Sequence, residues 1–103
     1  MPILKVQITR FVDEHFPGFV ECVFQDAEGK PQVFVERVPV VTHDDLRATS
    51  LYPREGAVQC ERVAAWTDIA ERKLVQIDTD LPWHIESISG ETRFVVLASQ
   101  VVG

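Results

Sequence analysis

From Ile3 to Val12 the side chains alternate one by one. Leu4, Val6 and Ile8 fall on one side of the chain, and Lys5, Gln7 and Thr9 on the other. A period of two is the mark of a β-strand with one covered face. The pattern returns in Phe19–Gln25, where Val20, Cys22 and Phe24 would share the inner face. The five Gly and six Pro are scattered, and most intervals between them are strand-sized, as in an all-β domain. β-Branched and aromatic residues far outnumber Ala, Leu and Met, which favours pleated sheet over helix.

Turn chemistry divides the chain further. Asp13–Gly18 closes the first strand. Asp26–Pro31 reads as a hairpin loop in which Gly29 supplies a positive φ. A third strand, Gln32–Val38, has apolar residues on both sides, so both faces are expected to be partly covered. Pro39 interrupts any ladder and belongs at an edge, a bulge or an exit. Thr42 and Asp45 have capping-box spacing, which predicts one short helical turn over His43–Ala48. Thr49–Gly56 reads as a loop.

Residues 57–81 admit two readings. Val63, Trp66, Ile69, Ala70, Leu74 and Ile77 recur at helical steps, whereas Val58/Cys60 and Val75/Ile77 alternate, and Thr67-Asp68 is a poor helix centre. Two strands, 57–66 and 72–79, joined at Thr67–Glu71, are preferred to a single amphipathic helix. Trp83–Ile88 and Thr92–Leu97 complete the set, separated by a turn at Ser89–Glu91, and the tail to Gly103 extends the last strand. A chain of 103 residues makes one domain. The expected fold is all-β: a small single-domain antiparallel barrel or rolled sheet of six to seven strands with one helical turn. It is OB-like or SH3-like only by analogy, which carries no function. Thr9–Val12 and Thr92–Val95 share the sequence TRFV, but their flanks diverge and no repeat emerges.

Charge narrows the partners. The net charge is −6, divided evenly between the two halves, with no basic cluster. Nucleic-acid binding requires cations to neutralise phosphate, and an anionic membrane surface requires the same, so neither partner is expected. No apolar run reaches bilayer length and no secretory signal opens the chain, so the expected location is the cytosol. Cys22 and Cys60 read as buried reduced thiols. Phosphate loops and nucleophile elbows are absent from the sequence, so no cofactor or catalytic residue is assigned.

The remaining candidates are clusters. Asp13-Glu14-His15 and His43-Asp44-Asp45 are dense in ionisable groups, but neighbours along an extended chain point apart. On a strand, His84 and Glu86 would share a face and form a pH-sensitive pair, with Asp78 and Asp80 adding an acidic patch. Tyr52 and Trp83 are aromatic anchors of the kind found in interfaces. The leading expectation is a non-catalytic protein-interaction domain. In its concrete form it is an acidic binder that masks a basic protein, as antitoxin-like or immunity-like proteins do, using Tyr52, Asp78, Asp80, Trp83, His84 and Glu86. The alternative is a small-ligand or metal site near His84 and Glu86, with Asp78 and His43. Homodimerisation through an exposed strand edge is a further expectation.

Overall fold

The computed structural model describes all 103 residues. Eight strands run in order: β1 (Ile3–Asp13), β2 (Phe19–Gln25), β3 (Pro31–Arg37), β4 (Arg54–Gln59), β5 (Glu61–Thr67), β6 (Lys73–Asp78), β7 (Arg93–Leu97) and β8 (Val101–Val102). One helical turn, α1 (Val38–Val41), comes after β3, and a 3₁₀ turn over Ala98–Gln100 precedes β8. The strands form two antiparallel sheets. One has the order β3–β2–β1–β4 with β8 beside β1, and the other has the order β5–β6–β7. Only Cys60 separates β4 from β5, so one stretch of chain passes from sheet to sheet.

The alternation seen in sequence sets the core. Ile8, Cys22 and Phe34 lie abreast on β1, β2 and β3, and all are fully buried. Val101, Leu4 and Val58 make a second row across β8, β1 and β4. The other sheet contributes Val75, Ile77, Phe94 and Val96 to the same cluster. Phe24, Phe34 and Phe94 lock the two sheets together: Phe94 meets Phe24 edge-on at 5.2 Å and Phe34 at 5.7 Å between centroids. Such contacts add to the burial itself.

Two glycines are required by geometry. Gly29 turns the β2–β3 hairpin with φ +80°, while the Asp26 carboxylate accepts the Glu28 and Lys30 N–H groups. At Gly56 a Cβ would sit 2.7 Å from Ile8 Cγ1 and 3.1 Å from Val41 O, so only glycine lets α1 close on β4 here.

Several expectations are corrected. The helical turn lies at Val38–Val41, one turn before His43–Ala48. Pro39 takes an early position in it, where its missing N–H costs nothing. Thr42 Oγ1 accepts the Asp44 N–H in a local turn, and the chain from His43 to Ala48 is not helical. Arg54–Gly56, read as loop, opens β4. Residues 57–81 do form strands rather than a helix, but the first is split at Cys60. The segment Trp83–Ile88 is irregular chain, not a strand.

Candidate interaction site

Where β6 ends, Thr79 sets the path of the chain. Its side chain is fully buried. Its Oγ1 donates to Ile85 O at 2.6 Å, and its N–H donates to Thr92 O at 2.8 Å. Ile85 N–H returns to Thr79 O at 2.9 Å, and Ile85 itself is buried. With both ends pinned, the chain between them stands out as a turn. Leu81 is 55 % exposed and Trp83 57 %. The Trp83 indole N–H donates to Gln59 Oε1, which fixes the ring against the end of β4.

This turn removes the strand geometry on which a His84–Glu86 pair depends. His84 has φ +53°, in the left-handed region. Its N–H donates to Asp80 O at 2.7 Å, and its Nδ1 lies against the Asp80 carboxylate. Asp80, not Glu86, is therefore the partner of His84. The hydrogen bond to Asp80, then its charge, raises the His84 pKa, and the nearby Glu86 charge adds to the effect. Asp78 Oδ1 accepts the Asp80 N–H at 2.9 Å, and Oδ2 accepts Arg93 Nε at 3.2 Å. The first of these bonds, supported by Arg93, holds its carboxyl below the usual range. Asp78, Asp80, Trp83, His84 and Glu86 thus belong to one short segment, with Glu61 opposite Asp78 on the neighbouring strand.

Tyr52 lies elsewhere. Its hydroxyl donates to Arg47 O at 2.8 Å, and its ring rests on the core. It braces its own loop. The other clusters also stay local. His15 Nδ1 meets Asp13 Oδ1 at 2.6 Å, while Asp44 pairs with Arg54 and Asp45 with Arg47. No three His, Cys, Asp or Glu side chains are placed to hold a metal ion together. Burial pushes the Cys22 thiol up to about 12, with Glu36 and Glu21 adding to the shift, and burial also raises Cys60. Burial thus disfavours the reactive thiolate form of both.

A groove of about 970 Å³ crosses β1, β2 and β4 and is lined by Lys5, Gln7, Thr9, His43 and Glu55 among others. His43 lines it, whereas His84 and Glu86 do not. No family model, curated protein or solved structure matches this chain.

Strand β5 carries a feature that its sequence conceals. All seven of its residues are exposed. Val63 and Trp66 resemble core positions because a charge-free run such as Val63–Thr67 reads as interior. Ile69, at the hairpin tip, is fully exposed. The usable signal is the absence of alternation in Val63-Ala64-Ala65-Trp66, since a half-buried strand should show it.

Proposed function

We propose that this chain is a non-catalytic protein-interaction domain that docks a basic protein surface on the turn Asp78–Glu86. The observation that carries this reading is the exposed Trp83, held by Gln59, in a turn that also exposes Leu81 and contains Asp80 and Glu86. Interface anchors are typically aromatic side chains held in place before binding, inside a polar rim. Asp80, Glu86 and Glu61 supply a negative rim, and the overall charge of −6 steers basic partners toward it. An antitoxin-like or immunity-like role is the concrete form of the proposal. We also read the two sheets as halves of one rolled barrel. The passage of β4 into β5 through Cys60 and the return of β8 to β1 support that reading.

The test is capture from a lysate. One dominant basic protein should be retained at low salt, released at high salt, and lost with Trp83→Ala. Capture no better than that of an unrelated protein of equal charge rejects the proposal.

A second reading, small-ligand binding, is favoured by the groove that Lys5, His43 and Glu55 line. Ligand-induced NMR shifts confined to those residues would support it. Shifts centred on Trp83 would favour the docking turn instead.

A further inference from the structure

The outer edges of β3 and β7 receive one loop hydrogen bond each, and that of β4 receives none but carries Arg54 and Glu55. The outer side of β3 receives the Ile88 N–H at Val33 O (2.9 Å), and that of β7 receives the Ala27 N–H at Val95 O (2.8 Å). The outer side of β5 receives no backbone hydrogen bond. It also carries no charge and no proline between Arg62 and Asp68, so past the bulge between Arg62 and Ala64 it lacks the devices that usually blunt a bare edge. On the outer face of its sheet, Leu74 lies directly between Trp66 and Leu97. An apolar ladder therefore runs up to this edge and stops.

The phase of the edge is set by the hairpin. Asp68 N–H donates to Arg72 O at 3.0 Å. Antiparallel ladders alternate, so Trp66 turns its N–H and C=O inward to Leu74 while Ala65 and Thr67 turn theirs outward. The bulge between Arg62 and Ala64 limits the presentable stretch to Val63–Thr67.

We infer that β5 pairs antiparallel with β5 of a second copy of this chain, about a two-fold axis at Ala65. The two three-stranded sheets then join edge to edge. In this register the two Ala65 residues face each other, and Thr67 faces the partner's Val63. Trp66 covers the partner's Ala64, so a large side chain meets a small one at both symmetry-related places. A slip by one residue would present inward-turned N–H groups and make no ladder. A slip by two would set Trp66 against its own copy or against Arg62, losing the match of large side chain to small. Self-complementarity in size and hydrogen-bond phase thus selects a second copy as the occupant, independently of any docking role for Trp83.

Sedimentation equilibrium tests the inference. The expected result is a species of twice the 11.7 kDa chain mass at high concentration that dissociates on dilution. Ala65→Lys, which sets two ammonium groups face to face, should be monomeric with an unchanged circular dichroism spectrum. Ala65→Cys should form an interchain disulfide under mild oxidation, whereas Leu51→Cys, exposed elsewhere, should not. If Ala65→Lys misfolds, hydrogen exchange of the unmodified protein decides: Ala65 and Thr67 amides should gain protection as concentration rises. A monomer at every concentration, a dimer that Ala65→Lys leaves intact, or free exchange of these two amides in the dimer would overturn it.

Discussion

Glu61 on β5 lies directly opposite Asp78 on β6, two carboxylates facing each other across an antiparallel pair. Arg93 on β7 is opposite Asp78 from the other side and pairs with it at 3.2 Å. The row therefore reads negative, negative, positive, and only one of the two carboxylates has a cation. Like charges set opposite each other on a sheet are unfavourable. Glu61→Gln should raise stability by about 0.2–1 kcal/mol in a urea titration. If the docking turn works as proposed, the same change weakens capture of the basic partner.

Thr79 ties the exposed turn to the core through its hydroxyl. Thr79→Val keeps the shape and removes the donor, so the Ile85 carbonyl loses its 2.6 Å partner. A buried polar group left unpaired costs about 1–3 kcal/mol. The melting temperature should fall by that equivalent, and fast amide exchange should spread through residues 80–86.

His84 should titrate above the ordinary histidine range, and Asp80→Asn should bring its NMR midpoint down. The sign comes from the raised value. Protonation favours the fold, so the contribution is complete below the unfolded value of ~6.5 and is lost as pH rises through the folded value. His15, raised by its hydrogen bond to Asp13, should behave alike. Loss of the His84 proton makes the turn more negative, so capture of a basic partner should strengthen as pH climbs through that midpoint.

Gly56→Ala forces a methyl against Ile8 and the Val41 carbonyl. Overpacking of this kind costs about 1–3 kcal/mol. Chemical denaturation should register the loss.

Phe34→Ala empties the centre of the aromatic triad. Truncating a fully buried Phe costs about 3–5 kcal/mol, so this variant should be the least stable of those named, with near-ultraviolet dichroism reduced.

The first two strands are legible in the sequence because each buries one face and alternates accordingly, whereas β3 buries Gln32 and exposes Val35. Leu4, Val6, Ile8, Val20, Cys22 and Phe24 are all buried as their period implies. The hairpin over residues 61–78 is legible from the poor helix centre at Thr67-Asp68, where β5 ends and the hairpin loop begins. The segment after Pro82 misleads because Trp83-His84-Ile85-Glu86 alternates like a strand while only Ile85 is buried. Tertiary hydrogen bonds at Thr79 decide its path, and nothing local announces them. The displaced helical turn has a similar cause: the Thr42 hydroxyl serves Asp44 rather than a helix start. For the site, the residue types of the acidic turn are visible in sequence, but the pairing of His84 with Asp80 depends on a positive φ that alternation cannot encode.

Leu4 is paired with Val101, nearly the full contour of the polypeptide away. Ile3 and Leu4 therefore gain their second neighbouring strand only when the last strand has docked. Contacts so distant along the chain slow assembly. The β1–β2–β3 meander should form early and β8 last. Any perturbation confined to Val101 should accelerate unfolding far more than it retards refolding.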